Sequence, residues 1–99
     1  MISVSDAYNK ASRLNSCASD LRGIKSNLSS YKSNLNQAWQ GQEMNSINSA
    51  LDDLIRELGQ QASAADSIAS DIRTAAQEIR REEEAAEEAR RRAASLAGI

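Results

Sequence analysis

Side chains that could support acid–base, nucleophilic or metal chemistry are few in this chain and badly placed for it. There is no His, which is the commonest general base and metal ligand, and there is a single Cys. The three consecutive carboxylates at 82–84 point in different directions around a helix and cannot converge on one substrate. We therefore expect no catalytic residue, no metal site and no cofactor.

The single Cys excludes a disulfide framework within the chain. Cys17 falls on one helical face with Leu14, Ala18 and Leu21, which predicts a small buried apolar residue. The alternative is an intermolecular disulfide or a reactive thiol, but no dense basic cluster lies nearby in the sequence to activate it.

Two long segments carry apolar residues at steps of three and four, which predicts helices and excludes alternating strands. The first helix is expected over 4–37, with Ser3 and Asp6 as a capping box. A turn is expected at 38–41 and a second helix over 42–96. Gly23 and Gly59 interrupt neither stripe, so both helices should continue through them rather than kink or break. Such a pattern describes a single all-α domain, 1–99, folded as an antiparallel helical hairpin.

The core is expected to consist of Leu, Ile and Ala in thin layers, because the chain has no Phe and only three aromatic residues. A chain this small buries a limited core alone, so the same residues should also bind a second hairpin and complete a four-helix bundle. The predicted hairpin and dimer seam comprises Leu14, Leu21, Ile24, Leu28, Leu35, Met44, Ile47, Leu51, Leu54 and Leu58. On this assignment Leu54→Glu should produce a poorly folded monomer.

Charge is distributed unevenly along the chain. Residues 1–41 carry five basic and two acidic residues, and the remainder carries seven basic and twelve acidic residues. From about residue 80 the second helix becomes a charged extension, in which Glu87 and Arg91 should pair along the helix. It is either a solvated tail or a recognition tail, with Glu83, Glu87 and Arg91 as candidate contacts. Its Glu residues offset its Arg residues, so we expect no nucleic-acid binding.

The predicted turn holds the only Trp, in the sequence Ala-Trp-Gln-Gly at 38–41. Gly41 permits backbone conformations that other residues resist, and Trp39 can lie across the end of the hairpin. A chain of about 100 residues with two helices joined by a central Trp-x-Gly turn resembles the WXG family of type VII (ESX) secretion substrates and partners. Met44, Ile47 and Leu51 after the turn agree with this resemblance.

The resemblance implies a non-enzymatic protein that is secreted from a bacterial cytoplasm through a type VII system and its ATPase. It implies a homodimer, or a heterodimer with another WXG-like protein or with the helical domain of a larger exported toxin. In either case Trp39 and Gly41 would contribute to a surface that the secretion machinery recognises. The start of the chain lacks a charged segment followed by an apolar run, so we expect export without a signal peptide and no membrane span.

One feature departs from the family pattern. Members often carry an aromatic residue followed four positions later by an acid in the tail, and this chain has no aromatic residue after Trp39. Either the partner carries that signal, or the Arg- and Glu-rich tail replaces it. The competing interpretation is a structural coiled-coil adaptor or a filament subunit built from helical hairpins.

Overall fold

The computed structural model describes residues 3–98, which form two helices joined by a short turn. Helix α1 is Val4–Ala38 and helix α2 is Glu43–Ala97. They lie antiparallel, since Asn36 meets Asn48 near the turn while Tyr8 meets Arg80 near the other end. The resulting rod measures 88 × 16 × 15 Å. The all-α helical hairpin expected from the sequence is confirmed.

Helix α1 is capped by side chains at its start and by an extended residue at its end. The Ser3 hydroxyl accepts a hydrogen bond from the Asp6 backbone N–H at 3.1 Å, which satisfies one of the free donors of the first turn. The Asp6 carboxylate also suits the positive end of the helix. At the other end, Trp39 adopts extended angles (φ −137°, ψ 117°) and ends the helix while its N–H still donates to the Leu35 carbonyl.

The turn does not use the conformational freedom of glycine. No residue between 3 and 98 has a positive φ, so the expectation that Gly41 supplies a backbone conformation closed to other residues is wrong. A Cβ atom added there would meet only the Glu43 carboxylate, at an ordinary 3.7 Å. The turn closes instead through hydrogen bonds from the Met44 and Asn45 N–H groups to the Gly41 and Gln42 carbonyls, each 3.1 Å.

Alanine fills the interface between the two helices. Ala11 and Ala18 on α1, and Ala62, Ala69 and Ala76 on α2, are at most 1% exposed and follow a seven-residue spacing within each helix. We call these five residues the alanine seam. Small side chains allow two backbones to approach closely, so the hairpin is thinner than one closed by Leu and Ile.

Both helices run through their internal glycines, as the uninterrupted stripes predict. Gly59 lies beneath the Lys25 side chain, and a Cβ atom there would be 3.1 Å from the Lys25 Nζ. Gly59 therefore leaves room for the Lys25 side chain where it crosses onto α2. A Cβ atom on Gly23 would meet nothing within 4 Å.

The end of α2 extends beyond α1. Because Tyr8 lies opposite Arg80, α1 begins only about one turn further along α2, and the last dozen or so residues of α2 project alone for roughly 20 Å. Residues 77–98 are all exposed. Neither helix, over the residues described, is long and apolar enough to cross a membrane.

Candidate functional site

The alanine seam divides the hairpin into two sides of opposite character. Along a helix, a residue three positions after a seam residue lies on one side of it and a residue four positions after lies on the other. On α1 these positions hold Leu14 and Asn15 after Ala11. On α2 they hold Ala65 and Asp66 after Ala62. In an antiparallel pair the equivalent positions of both helices share a side, so one side is apolar and the other is polar.

Asp66 is at the centre of the polar face. Its carboxylate accepts hydrogen bonds from the Asn15 side-chain amide at 2.7 Å and from the Arg22 guanidinium at 2.6 Å. The Arg22 hydrogen bond, followed by that from Asn15, holds the pKa of Asp66 below its ordinary value. One acid on α2 is thus held by two residues that lie two turns apart on α1, which fixes the register of the two helices.

Further contacts on the polar face reinforce that register. Near the turn, Asn36 and Asn48 exchange amide hydrogen bonds of 2.7 and 2.8 Å. Between this pair and Asp66, Lys32 forms a 2.5 Å ion pair with Asp52. At the open end the Arg80 guanidinium lies 5.8 Å from the centre of the Tyr8 ring. The polar face is therefore internally paired along its length.

The apolar face has no such internal partners. Its inner rows are only half-buried and comprise Leu14, Leu21, Leu28, Leu35, Leu51, Leu58, Ala65 and Ile72. Ile24, Tyr31, Leu54 and Ile68 lie further out on the same side and are 46–57% exposed, and Ile79 continues the inner row of α2 and is 39% exposed. A continuous apolar surface of this kind on a small protein marks a protein–protein contact.

Most of the residues predicted as a seam lie on this face rather than between α1 and α2. Met44 lies in the same row of this face as Leu51 and Leu58, but it is buried beneath the turn, at 3% exposed. Ile24 and Leu54 are about half exposed. The residues that close the hairpin, namely the alanine seam and the Asp66 contacts, were missing from the predicted set. The repeated alanines at 11 and 18 and at 62, 69 and 76 were the sequence signal for them.

Cys17 is exposed, so the expectation of a buried apolar residue is wrong. It immediately precedes Ala18, which places it on the outer row of the apolar face with Ile24 and Tyr31. The stripe of α1 is wide enough to span both the hairpin contact and this outer row. Membership of the stripe therefore did not imply burial.

The Trp-x-Gly turn presents its aromatic ring to solvent. Trp39 is 54% exposed and does not fill the end of the hairpin in the single chain. Gly41 is exposed beside it, and the conformation found there is open to other residues. The hairpin by itself thus has little need of either residue.

The candidate tail residues lie along one side of α2, with Glu83 near the start of α1 and Glu87 and Arg91 on the projecting part. Glu87 pairs with Arg90 at 3.3 Å and with Arg91 at 3.8 Å, while Glu88 pairs with Arg92 at 2.8 Å. Glu83 follows Ala76 by seven residues and so continues the line of the alanine seam to about the level at which α1 begins. This charged side is open to solvent, and no group of three or more His, Cys, Asp or Glu side chains in residues 3–98 could hold a metal ion.

These features define the class of the protein as an all-α helical hairpin with a paired polar face and an exposed apolar face. The model of the WXG100 family, described as proteins of 100 residues with WXG, matches residues 1–96. The chain therefore belongs to the WXG100 family, which associates it with type VII secretion. No curated protein and no solved structure matches it.

Proposed function

We propose that this chain is a non-enzymatic substrate or export partner of a bacterial type VII secretion system and travels as one half of a four-helix bundle. The observation that carries the proposal is the unpaired apolar face on a WXG100 hairpin. Fully burying a Leu or Ile side chain is worth about 1.5–3 kcal/mol, so covering this face strongly favours the assembled state.

The shape of the molecule supports a closed pair over a filament. A filament subunit needs two different complementary surfaces, whereas one surface that meets its counterpart closes the assembly. Over residues 3–98 the apolar side chains gather on one side of the alanine seam, and the other side is occupied by ion pairs and amide contacts. One partner hairpin covers the face and leaves no second apolar face for a third hairpin.

The turn is the second part of the proposal. Trp39 is half exposed and Gly41 adopts an ordinary conformation, so the hairpin does not account for this pair of residues. In our proposal they contribute to the surface that the secretion ATPase or its associated machinery binds. The chain then leaves the cytoplasm folded and paired, and it functions outside the cell.

The test is immunodetection of the chain in the culture supernatant of its native host, with and without the secretion ATPase. A cytoplasmic enzyme serves as the control for lysis. We expect the chain outside the cell only when the ATPase is present. We also expect Trp39→Ala to be retained inside with unchanged helicity, whereas the neighbouring exposed variant Gln40→Ala is exported. Equal release with and without the ATPase would overturn the proposal.

A further inference from the structure

The apolar face has an acidic edge on α2. Four carboxylates immediately precede residues of that face, at multiples of seven residues. They are Glu43, Glu57, Asp71 and Glu78, which precede Met44, Leu58, Ile72 and Ile79. We call these four residues the acidic row. All four are exposed, and none forms an ion pair with another residue in 3–98.

Within the body of α2, residues 43–80, the acids outside the acidic row have partners. Asp52 pairs with Lys32, Asp53 with Arg56, and Asp66 with Arg22. The basic residues in the body of α2, Arg56, Arg73 and Arg80, lie at other helical positions and not in the acidic row. The edge of the apolar face is thus selectively acidic, and the chain itself supplies no compensating charge there.

A second copy of this chain does not supply that compensation either. If α2 lies beside α2 of a second copy, two acidic rows face each other. The equivalent edge of α1, one residue before Ala7, Leu14, Leu21, Leu28 and Leu35, holds Asp6, Arg13, Asp20, Asn27 and Asn34. That edge carries two acids and one base, so it offers no basic row in either arrangement.

We propose that the apolar face of this chain selects a different helical hairpin, whose own apolar residues are flanked by Lys or Arg opposite the acidic row. This inference depends on the proposed paired assembly and identifies the charge of the partner. Charged residues that flank an apolar helical contact determine which partner is chosen, both by attraction to the right chain and by repulsion of the wrong one.

The test uses the chain itself as the probe. The variant Glu57→Lys/Asp71→Lys/Glu78→Lys is a helical hairpin with the same apolar face and a basic edge. The native chain and this variant are labelled with different fluorophores, and energy transfer gives the affinity of the mixed assembly and of each self-assembly. The control variant Asp53→Lys/Glu84→Lys/Glu88→Lys makes the same change in net charge elsewhere on α2.

We expect the mixed assembly to be about three- to tenfold tighter than either self-assembly in low salt. The preference should fall below about twofold near 0.5 M NaCl, where such exposed pairs are screened. The control variant should show no preference beyond about twofold. Equal affinities for mixed and self-assembly in low salt would overturn the inference while leaving the paired face intact. The absence of any association, even of the mixed assembly in low salt, would also overturn the inference, because opposite charge beside the same apolar face would then not produce pairing.

A second measurement covers the case in which the basic variant fails to fold, as judged by circular dichroism. The neutral variant Glu57→Gln/Asp71→Asn/Glu78→Gln removes the repulsion without adding charge. It should self-associate more tightly than the native chain in low salt, by about threefold or more. Self-association that is unchanged by neutralisation would contradict selection by the acidic row.

Discussion

At the scale of single residues, the position of a residue on its helix determines its burial and contacts more than its residue type does. Cys17 and Leu54 belong to stripes that predict burial, yet both are exposed because those stripes are wider than the contact between α1 and α2. Asp66 is one of fourteen acidic residues, and nothing in the neighbouring sequence distinguishes it from the others. Its role depends on two residues more than forty positions away, which local sequence patterns do not connect.

The paired Asp66 gives the hairpin a dependence on pH. Its pKa is lowered in the folded chain by Arg22 and Asn15, so its contribution to stability is present above the unfolded value near pH 4. That contribution is lost as the pH falls through the folded pKa. We expect the urea midpoint of the native chain to fall more between about pH 5 and pH 2 than that of Asp66→Asn.

Circular dichroism during urea titration at both pH values measures this difference. The Asp52→Asn variant controls for loss of another carboxylate on the same face. An equal fall in the native chain and in Asp66→Asn would contradict the role assigned to the Arg22 and Asn15 contacts.

At the scale of the helices, the steps of three and four predicted two helices and a hairpin, and the structure confirms that fold. The same steps could not show which part of a broad stripe faces the neighbouring helix. The predicted seam contains only Leu, Ile and Met residues, although the core expected from the composition also includes Ala. The chain instead places Ala11, Ala18 and their partners there, because two helices can then approach closely.

The alanine seam therefore has no room for a larger side chain. Ala69 is fully buried between the helices, so Ala69→Leu should lower the free energy of unfolding by about 1–3 kcal/mol. Ala64→Leu makes the same change at an exposed position of α2 and should alter it by less than about 0.5 kcal/mol. Urea denaturation of both variants gives the comparison. Similar stability of the two would show that the seam is not tightly packed.

At the scale of the whole molecule, the two faces of the hairpin differ in whether their side chains have partners within the chain. The polar face pairs its own acids, bases and amides, whereas the apolar face leaves Ile24, Tyr31, Leu54 and Ile68 about half exposed. The sequence indicates that this chain has more apolar residues than a single thin hairpin can bury. It does not show which chain covers the excess, because that depends on residues outside this sequence.

The measurement that tests this account most directly is native mass spectrometry of the tagged chain isolated from its host. Leu54→Glu/Ile68→Glu places two charges on the apolar face, and Ser63→Glu/Ser70→Glu places two on exposed positions elsewhere on α2. Because Leu54 and Ile68 are about half exposed and lie outside the alanine seam, we expect the face variant to stay helical. That differs from the poorly folded monomer expected from the sequence alone.

We predict that the native chain and the Ser63→Glu/Ser70→Glu control occur in a single complex with one partner hairpin. The Leu54→Glu/Ile68→Glu variant should appear as a monomer, at the mass of the 10.7 kDa chain plus its tag. A complex that survives in the face variant, or a ladder of masses that grows with concentration, would contradict a closed pair formed through the apolar face.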